Sequence, residues 1–226
     1  MPDVERQLAL VTGAAGTLGR ALVSALIARG FDCVALDRNR RGLEQLHDQL
    51  AAQGTPPLGV PLDLAGAGPQ HYAELAESLG EQFGRLDLLI HAAAEFRALT
   101  PIEHTDPEDW MKVLQAGLTG PFLLSRALLP LMRATPGSVM LWVADDEKVR
   151  RAAYWGGYGV AQAGRAALAG ILAAECARDA PDVRLVDPGP FHSPLRSRAW
   201  PAERPDALPS VEQAVARVLA AVEGDG

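Results

Sequence analysis

The chain has 226 residues, 48% hydrophobic and 22% charged, which suits one globular domain over residues 1–226 with a sizeable core. Its formal charge of -7 argues against a footprint on nucleic acid or an anionic membrane, both of which attract basic surfaces. Two cysteines, Cys33 and Cys176, form no metal-type or disulfide pattern, and residues 1–7 make no membrane or targeting segment, so a reducing, cytoplasmic setting is expected.

Short apolar strand patterns alternate with longer helical ones, the sequence form of an α/β domain: a Rossmann-type, doubly wound parallel sheet covered on both faces. The first strand, residues 8–12, runs into Thr12-Gly13-Ala14-Ala15-Gly16-Thr17-Leu18-Gly19 and a helix over 18–29. In that setting Gly13, Gly16 and Gly19 let the backbone turn tightly and approach a phosphate at the helix N-terminus, where Thr17 and Leu18 stand. A second strand, 33–37, ends on Asp37, whose carboxylate suits the ribose hydroxyls of NAD and repels the 2'-phosphate of NADP. Arg38 beside it suits the phosphate instead.

A helix over 43–52 follows, then a strand at 58–63 closing on Asp63-Leu64, a helix over 70–83, and a strand at 86–92 that runs into His91-Ala92-Ala93-Ala94. Asp106 before Pro107 signals the start of a long helix over 107–133, with a bend or an early end at Pro121 or Pro130. A strand at 138–143 leads to Asp145-Asp146-Glu147, read as a solvated acidic turn. Tyr158 opens a helix over 158–178, with Gln162 and Arg165 on its face one and two turns later. A strand at 183–187 precedes Pro188-Gly189, and residues 188–209, with six prolines, read as a long loop with room for a helical turn. A last helix over 211–222 has no strand pattern after it, which makes six strands.

Over residues 8–219 the Thr-Gly start of the glycine turn, Leu62-Asp63-Leu64, the strand into His91, Tyr158 on a small-residue helix and Asp187-Pro188-Gly189 together resemble the short-chain dehydrogenase/reductase family. Within it, the run from Arg151 to Tyr158 and Ser193-Pro194-Leu195-Arg196 are similar to the bacterial YciK-type oxidoreductases. The resemblance implies a nicotinamide dinucleotide, NAD or NADP, on the glycine turn (Gly13, Gly16, Thr17, Leu18, Gly19), Asp37 or Arg38, Asp63-Leu64, the Ala92-Ala93 backbone and Pro188-Gly189. It also implies a homodimer or homotetramer built on the helices from Pro107 and Tyr158, and a further strand after the last helix that this chain lacks.

The resemblance breaks at the chemistry. Of the family's asparagine, serine, tyrosine and lysine only Tyr158 has a match. Gly117 stands at the asparagine, Ala144 or Asp145 at the serine and Gln162 at the lysine, while His91-Ala92-Ala93-Ala94 replaces an Asn-Asn-Ala-Gly run. A phenol with an ordinary pKa of about 10 needs a nearby cation to exchange protons near pH 7, and glutamine brings no charge.

The sequence therefore reads as a dinucleotide-binding protein, an oxidoreductase by ancestry, that has lost the ordinary carbonyl–alcohol mechanism and has a binding or regulatory role. The alternatives are an active NAD(P)-dependent reductase with an atypical proton relay or a quinonoid, pterin-like substrate, and a cofactor-free dimeric scaffold. Arg165 is expected in a surface or subunit-contact ion pair, its other reading being the missing cation. Asp145 becomes an acid or base only if burial raises its pKa. His91 reads as packed, His192 as an exposed loop residue or one facing a substrate, and Tyr154, Trp155 and Phe96 equally as pocket lining or as packing. No metal site is expected.

Overall fold

The computed structural model describes residues 6–224 apart from residues 53 and 55. The first five residues of the charged N-terminal stretch, and the last two of the expected domain, lie outside them.

Strand β1 (Leu8–Thr12) is an unbroken apolar run in which no residue is more than 1% exposed, the signature of a strand covered on both faces. Side chains alternate along a strand, so β1 feeds two cores. Ala9 and Val11 join Leu22, Val23 and Leu26 of helix α1 (Thr17–Ala28). Leu8 and Leu10 turn to the other face, into the core holding Tyr72 and Leu79 of α3 (Pro69–Phe83). The remaining strands are β2 (Asp32–Asp37), β3 (Leu58–Pro61), β4 (Leu88–His91), β5 (Val139–Val143) and β6 (Asp182–Val186). All pair in parallel, in the order β3-β2-β1-β4-β5-β6. The chain moves outward from β1 to β3, then restarts at β4 and moves the other way. That reversal opens a crevice at the carboxyl ends of β1 and β4, where ligands bind in such sheets.

Helix α2 (Arg40–Ala51) joins β2 to β3, and α9 (Val211–Glu223) closes the chain against α1. Among the described residues no strand follows α9, no helix is long and apolar enough to cross a membrane, and no cluster suits a metal ion.

The long helix expected over 107–133 forms as one continuous run, α4 (Pro107–Leu114) and α5 (Gly120–Arg133) being joined by a widened helical turn with i→i+5 hydrogen bonding over Gln115–Thr119. Pro121 follows the widened turn directly and Pro130 lies inside α5, so neither proline ends the helix. The acidic turn carries a short helix, α6 (Glu147–Arg151), capped by Asp146, whose side chain accepts from the Val149 N–H. Helix α7 (Gly156–Glu175) begins two residues before Tyr158 and ends three before Arg178. The proline-rich stretch holds α8 (Pro194–Ala199), capped by Ser193. Strand β3 stops short of Leu62 and Asp63, and β4 starts at Leu88 rather than Leu86.

Candidate functional site

The glycine turn is built by close backbone approach. Gly13 takes a left-handed φ of 70°, and a Cβ there would come within 2.7 Å of Ala93 Cα. A Cβ on Gly19 would meet the Gly13 carbonyl at 2.1 Å, so α1 can seat on the turn only with glycine at this position. Buried Thr12 ties the two loops together: its hydroxyl accepts the N–H groups of Ala92 and Ala93, each at 3.1 Å. The N-cap of α1 is Gly16, with no side-chain cap, so Thr17 enters as the first helical residue rather than as the cap. No side chain of this cap occupies the first-turn N–H groups, which leaves donors and the positive helix end for a pyrophosphate.

A cleft of about 690 Å³ runs over this turn. Every dinucleotide-side residue read from the sequence lines it: the glycine turn, Asp37, Arg38, Asp63, Leu64, Ala92, Ala93, Pro188 and Gly189. The size and lining fit a dinucleotide. Asp37 Oδ2 accepts the Ala15 N–H at 3.0 Å and Oδ1 accepts the Asn39 N–H at 2.9 Å, so the carboxylate braces the turn while keeping lone pairs free. Arg38 is already engaged, its Nη2 lying 2.8 Å from Glu95 Oε2.

At the other end of the cleft the Tyr158 hydroxyl donates to Asp145 Oδ2 at 2.5 Å. Asp145, and not Ala144, therefore faces the phenol; Ala144 is buried and donates its N–H to the Val186 carbonyl. Gln162 Oε1 accepts the Asp145 N–H at 3.3 Å. The solvated-turn reading thus fails for Asp145, which is partly buried against the phenol, and holds for exposed Asp146.

Arg165 departs furthest from expectation. It is 1% exposed and forms no surface ion pair. Its Nε donates to the Gly117 carbonyl at 2.9 Å, Nη1 to Val143 at 2.7 Å and His91 at 3.4 Å, and Nη2 to Ala93 at 2.5 Å. These carbonyls lie at the ends of β4 and β5, just past β4, and in the widened turn, where the regular backbone pairing ends. Spacing alone put Tyr158, Gln162 and Arg165 on one face; the fold turns that face inward. The guanidinium has five N–H groups, so one on Nη2 remains, and Arg165 lines the cleft.

Burial pushes the Tyr158 pKa well above 10, and the charge and hydrogen bond of Asp145 push it further. Arg165 and Gln162 pull the other way with smaller effect. Burial raises the Asp145 pKa above 3.8; the Tyr158 hydrogen bond opposes this, while the Asp187 and Asp146 charges add to it. Burial pulls Arg165 down to about 10, so it remains a cation at neutral pH. His91 is held neutral, far below 6.5, by burial and then by Arg165. Its Nε2 lies 2.8 Å from Ser125 Oγ and its ring packs on Trp142 with centroids 4.1 Å apart, so it is a packed histidine.

These shifts give a pH signature. Folded Asp145 keeps its proton to higher pH than the unfolded carboxyl, so its contribution to stability is present at low pH and is lost as pH rises through the raised value. Asp145→Asn retains an acceptor for Tyr158 and removes the charge. It is expected to melt higher than wild type at pH 8 and close to it at pH 4. A lower melting temperature at pH 8 would mean that the carboxylate–phenol bond outweighs the burial of the charge.

The aromatic readings separate. Trp155 packs on Phe96, Tyr158 and Trp200, with centroids 5.4, 5.4 and 4.9 Å apart, behind the cleft wall. Tyr154 is exposed, and exposed His192 lies outside the cleft near Ser197. Among the cleft residues the sequence reading did not single out are Glu95 and Trp200, and it gave Arg196 no role there. Arg196 stacks 4.2 Å over Trp200 and bonds both oxygens of Glu203 at 2.6 and 2.7 Å. Glu95 did leave a signal, a carboxylate directly after an apolar strand and a small-residue turn.

The profile of the short chain dehydrogenase family matches residues 7–204. The chain is 30% identical over 205 residues to D-threitol dehydrogenase of Mycolicibacterium smegmatis, covering 91% of this chain and 78% of that one. It is 26% identical over 203 residues to the oxidoreductase YciK of Escherichia coli, covering 89% and 80%. A Shigella flexneri short chain dehydrogenase structure in complex with NADP superposes with a TM-score of 0.91 at 25% identity, over 96% of this chain and 90% of that one. With its parallel six-stranded sheet, its glycine turn and these matches, the chain belongs to the short chain dehydrogenase family of NAD(P)-dependent oxidoreductases.

Proposed function

We propose that the chain binds a nicotinamide dinucleotide, NAD in preference to NADP, and does not run the family's ordinary carbonyl–alcohol exchange, acting instead as a binding or regulatory protein. The observation that carries this is the Tyr158–Asp145 hydrogen bond. A base in this position has to shed its proton near neutral pH, and the phenol here sits against a carboxylate that resists that loss. A carboxylate beside the phenol also repels the negative charge that develops on a carbonyl oxygen. The first-turn N–H groups of α1 would hold the pyrophosphate, and Asp37 the adenosine ribose. Pro188 and Gly189 would flank the nicotinamide, the group that carries the hydride when bound.

One observation favours a second reading, an active reductase. Asp145 has a raised pKa and touches Tyr158, so a protonated Asp145 is a proton source in the cleft. Such a reductase loses rate as pH rises through the Asp145 value.

Calorimetric titration with NADH and NADPH, followed by a panel of carbonyls, alcohols and a dihydropterin, separates the readings. The expected result is NADH binding, weaker NADPH binding and no turnover. Binding of neither dinucleotide would leave the scaffold, and turnover at ordinary rates of about 1–1000 per second would sink the lost-mechanism proposal. Exposed Met111, Phe122, Val160 and Ile171 on α4, α5 and α7 support a homodimer through those helices. Light scattering on the same samples should give the mass of two chains or four, and a monomer mass would remove that assembly.

A further inference from the structure

We propose that Glu95 decides which dinucleotide the cleft takes, by holding Arg38 in an ion pair that a 2'-phosphate would have to break. The inference rests on the dinucleotide reading above and names the residue that discriminates between the two cofactors.

Topology places the pair across the cleft. Arg38 is the first residue after β2, and Glu95 lies in the loop after β4. β1 lies between those strands, so the Arg38–Glu95 bridge closes over the end of β1, where the glycine turn begins. Both residues line the cleft.

Charge and burial make the pair selective. The Glu95 side chain is 10% exposed, so its carboxylate is poorly screened and depends on its counterions. Arg38 supplies the shorter contact, at 2.8 Å. Arg97 approaches at 3.3 Å but divides its Nε with Asp109, also at 3.3 Å. Asp37 is fixed in place by its two backbone donors, so a 2'-phosphate arriving there meets a carboxylate, and the adjacent cation is already neutralised. Drawing Arg38 onto the phosphate leaves buried Glu95 with Arg97 alone. The ribose hydroxyls of NAD need no cation and can donate to the free lone pairs of Asp37. The bridge therefore penalises NADP alone.

Calorimetric titration of wild type, Glu95→Gln, Arg38→Gln and the double variant with NADH and with NADPH tests this, with circular dichroism to confirm that each is folded. Glu95→Gln keeps the side-chain shape and frees the guanidinium. It should raise the preference for NADPH relative to NADH about 10-fold, equivalent to about 1.4 kcal/mol. Arg38→Gln alone should leave NADPH binding within about twofold of wild type, because Arg38 is already committed, and in the Glu95→Gln background it should abolish the gain. An unchanged ratio in Glu95→Gln, or an equal gain for both dinucleotides, overturns the proposal while leaving dinucleotide binding intact. A large loss of NADPH binding in Arg38→Gln also overturns it, since the arginine would then serve the phosphate in the wild type. If no variant binds either dinucleotide, this proposal and the cleft reading fall together.

Discussion

Arg165→Met is expected to lower the unfolding free energy by about 3 kcal/mol or more, a large share of the roughly 5–15 kcal/mol that holds a domain folded. The substitution keeps an apolar stem and removes every donor. It leaves the carbonyls of Gly117, His91, Val143 and Ala93 without their donor, and a buried polar group left unmet costs about 1–3 kcal/mol. Relaxation and entering water recover part of that sum. Arg165→Lys should lose less, since an ammonium keeps the charge and three donors but cannot span four carbonyls as the planar fork does. Urea denaturation measures both. A loss below about 1 kcal/mol in Arg165→Met would show that the carbonyls find other partners and that the guanidinium is not the clamp joining the ends of β4 and β5 to the widened turn.

The second large effect concerns chemistry. The double variant Asp145→Ser with Gln162→Lys removes the carboxylate that holds the Tyr158 proton and puts a cation one turn away. Carbonyl reduction is expected to rise at least about 100-fold over wild type, the lower end of the range for a positioned general acid. The gain is held to the lower end for two reasons. Gln162 is 3% exposed and shares its helix face with Arg165, so the new ammonium must share a buried site with an existing cation. An asparagine at position 117 would strain the packing, because a Cβ on Gly117 would lie 2.9 Å from Ala161 Cβ, and the Gly117 carbonyl already serves Arg165. Ultraviolet difference titration should show the phenol ionising at lower pH than in wild type. If Gln162→Lys alone performs as well as the pair, Asp145 is no obstacle to proton transfer. If the phenol shifts and turnover stays at the wild-type level, the block lies elsewhere in the cleft.

The glycine turn was legible because its physics is local. Gly13, Gly16 and Gly19 lie within seven residues of chain, between a strand and a helix, and the strand that precedes them is buried from end to end. The chemistry side depends on residues brought together from far apart. Tyr158 and Asp145 are 13 positions apart, Arg165 and His91 are 74, and nothing in their spacing says whether the shared face of α7 meets solvent or the sheet. That is why Arg165 reads from sequence as a surface charge and Asp145 as part of a solvated turn. Packing of α7 against the ends of β4 and β5 decides both.

The succession of strands and helices along the chain and the glycine turn follow from the chain alone, because apolar periodicity and the placing of glycines are properties of sequence. The widened turn at Gln115–Thr119, the four carbonyls under Arg165, the phenol held by Asp145 and the Arg38–Glu95 bridge belong to the tertiary structure. A hydrogen bond or an ion pair depends on distance and burial, and the fold sets both.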